Sequence, residues 1–156
     1  MGLRQDILNQ PVSRLGLREL LEGTVDMRID NAVALMRKKH LGCVVILDNQ
    51  KRPEGLFTER SLLRCLLDTP DCMNQPVADY VTRPAPCIGM NESIAALIKK
   101  MQSHQLRFVC VVNADGRGVG ICGYRSAIEY LADHFPRSVK VQEMNAKLSM
   151  NQREGA

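Results

Sequence analysis

The chain has 156 residues, 21 Lys and Arg against 17 Asp and Glu, a formal charge of +4, and 45% apolar residues. That length suits one ordinary domain or two small repeats, and the charge is too mild and scattered for a duplex-binding surface. No apolar run approaches the ~20 residues that span a bilayer, and Met1–Pro11 lacks the basic-then-apolar pattern of a leader, so a cytoplasmic chain with neither membrane nor nucleic-acid partner is expected.

With no Trp and few aromatics, the core must come from Val, Ile, Leu, Met and Ala. Residues 1–10 are polar around Ile7 and Leu8 and form an N-terminal segment that packs or frays. A short strand is expected near Leu20–Thr24. Asp26 suits a helix N-cap, and Ile29, Ala32, Val33 and Met36 then fall on one helical face. Cys43–Leu47 is a β-branched apolar run and reads as a buried strand. A polar turn, DNQKRPE, leads to a second strand at Gly55–Phe57 and a helix from about Thr58 to Asp68. A short linker, residues 69–75, ends this unit.

The same order then returns. A strand is expected at Pro86–Gly89 and an N-cap at Asn91. A helical face follows on Ile94, Leu97, Ile98 and Met101, then a strand at Phe108–Val112. The Asp115-Gly116 turn, a strand at Val119–Cys122 and a helix from about Gly123 to Asp133 complete the set. Sliding the sequence by 65 residues superposes 11–68 on 76–133 without a gap, and thirteen of the 58 pairs are identical, against roughly three or four by chance. Among them are Pro11/Pro76, Met36/Met101, Gly55/Gly120, Arg60/Arg125 and Ser61/Ser126. The chain therefore holds two β-α-β-β-α repeats, 11–68 and 76–133. One such unit cannot cover both faces of its sheet, so the expected fold is α/β of the α+β type, packed sheet to sheet with pseudo-twofold symmetry.

The six cysteines form no CxxC pair and the three histidines stand at no zinc-ligand spacing from them, so they read as structural. Gly116, Gly118 and Gly120 belong to a hairpin turn, since a dinucleotide fingerprint would open a helix at once. The basic runs Arg37-Lys38-Lys39 and Lys99-Lys100 fall late in helices, where cations complement the dipole. No nucleophile with its base and no acid–base pair is present, so no catalytic residue, metal or required cofactor is assigned.

The stretch AVALMRKKHLGCVVILDNQKRPEGLFTERSLLRCLL resembles a cystathionine-β-synthase (CBS) repeat, and IAALIKKMQSHQLRFVCVVNADGRGVGICGYRSAIEYL resembles the same repeat with more drift. Two in tandem resemble a Bateman module. The resemblance implies clefts between the repeats that hold AMP, ADP, ATP or S-adenosylmethionine, further pairing into a homodimer, and regulation of a protein partner. It implies a Thr or Ser capping the final helix of a repeat and an Asp three residues later on the ribose. Thr58 matches the first; Ser61 and Ser126 stand where the Asp belongs, and Gly123 lacks the hydroxyl. Arg60 and Arg125 recur in phase, and Arg107 stands where some members place a phosphate contact, with Gly42 as its equivalent. The expected ligand residues are thus Thr58, Arg60, Ser61, Arg107, Arg125 and Ser126.

Two main readings follow: a stand-alone, non-enzymatic sensor of an adenosine compound, or a dimeric interaction module whose clefts have lost their ligand; a third, an enzyme using thiol chemistry, has only the cysteine count behind it. In the C-terminal tail, 134–156, Pro136 is expected to stop the last helix. Val139, Val141, Met144, Leu148 and Met150 give it enough apolar character to dock on its own module, a dimer mate or a partner.

Overall fold

The computed structural model describes residues 3–134. Pro136 and the apolar tail positions lie outside the described residues. The elements run α1 (Leu3–Leu8), β1 (Glu22–Gly23), α2 (Ile29–Lys39), β2 (Cys43–Leu47), β3 (Pro53–Thr58), α3 (Glu59–Asp68), β4 (Cys87–Gly89), α4 (Ile94–Ser103), β5 (Phe108–Val112), β6 (Gly118–Gly123) and α5 (Tyr124–His134). Short 3-10 turns occupy Val12–Arg14, Cys72–Asn74 and Val77–Asp79.

Each repeat builds a three-stranded mixed sheet, ordered β1-β2-β3 and β4-β5-β6. The first pair in each is parallel and the second antiparallel. The registers repeat at the same spacing as the sequence: Glu22 faces Val45 as Cys87 faces Cys110, and Ile46 faces Gly55 as Val111 faces Gly120. Even the turns match. Asp48 Oδ1 accepts from the amides of Gln50 and Arg52, and Asn113 Oδ1 from those of Asp115 and Arg117. The turn residue with positive φ is Gly116 (78°) in the second copy and Lys51 (64°) in the first, where a side chain bears the left-handed cost that glycine avoids.

The helix starts differ from the sequence reading. The N-cap of α2 is Arg28, without a side-chain bond, and that of α4 is Ser93, whose hydroxyl accepts from the Ala96 amide at 3.1 Å. Asp26 and Asn91 sit two residues earlier, in the preceding turn.

One buried cluster joins the repeats, holding Val45, Leu56 and Phe57 from the first together with Cys110 and Ile121 from the second. A second cluster, with Ile94, Leu97, Met101, Val109 and Cys122, lies within copy two and is closed by Val12 and Leu15. The chain also crosses over at each edge. Leu56 and Thr82 exchange backbone hydrogen bonds at 3.1 and 2.8 Å, and Arg18 and Ile121 do so at 3.0 and 3.1 Å. Neither sheet edge is therefore left open along this seam. The N-terminal segment packs: Ile7 is buried and α1 lies on α4.

The six cysteines are not equivalent. Cys65 of α3 and Cys72 of the linker form a disulfide, with their Cα atoms 6.1 Å apart. Spacing alone does not announce it, because the pair is brought together by the linker folding back under α3. Cys43, Cys110 and Cys122 are buried free thiols, and burial pushes Cys43 and Cys122 up to about 12.

Candidate functional site

Two clefts lie at the repeat boundary, related by the 65-residue shift. The first, of about 280 Å³, is lined by Thr58, Glu59 and Arg60 at the start of α3 and by His104–Phe108 at the end of α4, with Leu56, Thr82 and Pro86 as walls. The second, of about 330 Å³, is lined by Gly123–Ser126 at the start of α5, by His40–Gly42 at the end of α2, and by Arg18, Glu59, Arg107 and Phe108. Each cleft thus takes a helix N-terminus from one repeat and a helix C-terminal turn from the other. That assignment follows from the crossover of the repeats. An N-terminus offers free amide groups and a partial positive charge, which suits an anion.

The residues expected from the sequence fall into three groups. Thr58 and Arg60 line the first cleft, and Arg125 and Ser126 line the second. Arg107 lines both, because it sits where the two clefts meet. Its guanidinium lies 4.0 Å from Glu59, with both side chains well exposed, so the pair contributes little to stability and leaves the arginine free to move. Ser61 stands apart. It is buried and completes a capping box: its amide donates to Thr58 Oγ1 at 3.3 Å and its Oγ accepts from the Thr58 amide at 3.1 Å. It does not line the first cleft itself, but with Thr58, Arg60 and Thr82 it lines an adjoining pocket.

Gly123 in the second copy has a steric reason. A Cβ there would come 3.2 Å from the Arg107 carbonyl oxygen and meet the Phe108 ring. The strand-to-helix corner is closed against the neighbouring strand, so no capping hydroxyl fits without a shift. Arg125 is held by Glu129 one turn on, at 2.8 Å. Arg18 (second cleft) and Phe108 (both clefts) were not singled out by the sequence. Arg18 is identical to Arg83 under the shift, a signal that was available; Phe108 replaces Cys43 and carries no motif.

Charge divides the clefts. The second collects Arg18, Arg107 and Arg125 with His40 against one carboxylate, Glu59. The first has Arg60 and Arg107 with His104 against the same Glu59, and to the shared Phe108 it adds the apolar walls Leu56, Pro86 and Leu106. A flat apolar group fits the first better, and a multiply charged anion the second. No group of three or more potential metal ligands occurs among the described residues. No helix among them is long and apolar enough to cross a membrane.

The CBS domain family model matches residues 24–68 and 77–133, so both repeats and most of the chain are covered. An uncharacterised protein of Methanocaldococcus jannaschii is 29% identical over 128 residues, which is 82% of this chain; the chain spans 45% of that relative's length. Among solved structures, a CBS domain protein of Pyrobaculum aerophilum complexed with AMP superposes with a TM-score of 0.68 at 25% identity, covering 74% of this chain and 88% of that one. The CBS domain pair of protein MJ0100, in complex with 5'-methylthioadenosine and S-adenosyl-L-methionine, also gives 0.68, at 19% identity over 78% of this chain and 94% of that one. The internal duplication, the two mirrored clefts and the match over both copies lead to one conclusion: the chain belongs to the CBS domain family.

Proposed function

We propose that this chain is a non-enzymatic regulatory module that takes an adenosine-containing ligand, AMP, ADP, ATP or S-adenosylmethionine, between its two repeats and signals occupancy to a protein partner. The observation that carries this is the first cleft. It sets the Thr58-capped start of α3 and Arg60 opposite Phe108 and Leu56, a phosphate-binding helix end facing an apolar wall for a base. AMP in one structural relative, and 5'-methylthioadenosine with S-adenosylmethionine in another, support the ligand class. No carboxylate stands three residues after either helix start. Affinity for a ribose is therefore expected to be ten- to a hundredfold weaker than with a carboxylate there, about 1.5–3 kcal/mol.

A second reading, a dimeric interaction module with empty clefts, draws on the exposed apolar side chains Leu63, Leu67 and Ile128 on α3 and α5. A thermal-shift series with AMP, ADP, ATP, S-adenosylmethionine and NAD at millimolar concentration separates the two, since a ligand that binds only the folded state raises its stability. Stabilisation by an adenosine compound, lost in Arg60→Ala, supports the sensor. No shift with any of them supports the interaction module.

A further inference from the structure

Cys87 and Cys110 differ from the other cysteines in placement. They are register partners on the parallel strands β4 and β5. Paired positions point to the same sheet face, and strands lie about 4.8 Å apart, inside the roughly 4.4–6.8 Å over which a disulfide bridges two Cα atoms. Both side chains belong to the cluster between the two sheets. Cys110 is fully buried, whereas Cys87 is half-buried and reachable from solvent. Lys100 of α4 donates to the Cys87 carbonyl oxygen, which places a cation at this residue. The Cys110 thiol beside it lowers Cys87 from the ordinary thiol range, and Lys100 acts in the same direction against the opposing effect of burial; the same pairing and burial raise Cys110.

We propose that Cys87 and Cys110 form a redox-active vicinal dithiol, with Cys87 attacking a peroxide and Cys110 resolving the product as a β4–β5 disulfide. In the first step the Cys87 thiolate attacks one peroxide oxygen. The O–O bond breaks, hydroxide leaves and takes up a proton as water, and Cys87 becomes a sulfenic acid. In the second step the Cys110 sulfur gives up its proton and attacks the Cys87 sulfur. The S–S bond forms, the S–O bond breaks, and the departing hydroxide leaves as a second water. The dithiol loses two electrons and two protons, and the peroxide is reduced to water.

The position gives this chemistry a route to the clefts. Pro86, which precedes Cys87, lines the first cleft, and Phe108, two residues before Cys110 on the same strand face, lines both. Cys43 and Cys122 serve as internal controls, since both are buried and held as thiols.

The test is peptide mapping of the full chain. Brief iodoacetamide labelling at neutral pH is expected to modify Cys87 on the order of a hundredfold or more faster than Cys43 or Cys122. One equivalent of hydrogen peroxide is expected to yield a Cys87–Cys110 cross-linked peptide that dithiothreitol reverses. Cys110→Ala is expected to halt at a sulfenic acid on Cys87 that dimedone traps. Cys87→Ala, a change at a half-buried position, is expected to abolish the link while the fold persists by circular dichroism. Labelling of Cys87 no faster than of Cys43, or peroxide-treated wild type without the cross-linked peptide, would overturn the proposal.

Discussion

Thr58 and Ser61 cap each other across the first turn of α3, with the Ser61 amide 3.3 Å from Thr58 Oγ1 and the Thr58 amide 3.1 Å from Ser61 Oγ. The two bonds satisfy two amides that the helix itself cannot. Thr58→Ala and Ser61→Ala are each expected to cost about 1 kcal/mol in urea unfolding. Because they dismantle one shared device, the double variant should cost clearly less than the sum. Additive losses would mean that the hydroxyls act separately.

Gly55 and Gly120 occupy equivalent places on β3 and β6 but face unequal neighbours. A Cβ on Gly55 would come 2.1 Å from Val81 Cγ1 and 3.0 Å from the Thr82 carbonyl oxygen; on Gly120 the nearest atoms are 3.1 Å away. Val81 is buried, so it has little room to turn. Gly55→Ala is expected to destabilise by about 3 kcal/mol or more and Gly120→Ala by about 1–2 kcal/mol. Equal melting temperatures for the two variants would refute the asymmetry.

The Cys65–Cys72 disulfide closes a short loop that holds the inter-repeat linker to α3. A loop of this length is expected to contribute about 2–3 kcal/mol by restricting the unfolded chain. Cys65→Ala with Cys72→Ala, or dithiothreitol on the wild type, should lower the unfolding free energy by that amount. The variant should then show no further response to the reductant.

Much of this fold was legible because it is written twice. The registers Glu22–Val45 and Cys87–Cys110 reproduce the 65-residue shift that aligns the sequence with itself. What was not legible depends on pairing across the copies. Arg107 was expected to serve one cleft and lines both, since only the crossover of the strands brings it to the boundary. Ser61 also completes a cap that no motif announces, because a hydroxyl three residues after a Thr bonds the nearest free amide. The helix starts fell two residues later than Asp26 and Asn91 suggest, as the chain first has to turn out of β1 and β4.

Leu63 is 62% exposed on α3 and Ile128 is 62% exposed on α5, and the two positions are equivalent under the repeat shift. Large apolar side chains presented in the same phase by both repeats make a self-complementary surface suited to a twofold pair. The wild-type chain is expected to scatter light as a dimer. Leu63→Glu with Ile128→Glu should give the monomer mass with an unchanged circular dichroism spectrum. A monomeric wild type would count against the homodimer and against the second reading, the dimeric interaction module.

Arg60 and Arg107 give the sharpest separation of the clefts. Arg60 lines only the first, whereas Arg107 lines both. An arginine–phosphate hydrogen bond contributes about 1.5–3 kcal/mol, so losing it should weaken binding roughly ten- to a hundredfold. In calorimetric titration with AMP and ATP, Arg60→Ala should therefore weaken one class of site and leave the other intact. Arg107→Ala should weaken both, and more for ATP, whose additional phosphates suit the arginine-rich second cleft. Equal losses for the two variants would mean that ligand enters only the first cleft, and the charge collected around Arg18 and Arg125 would then need another occupant.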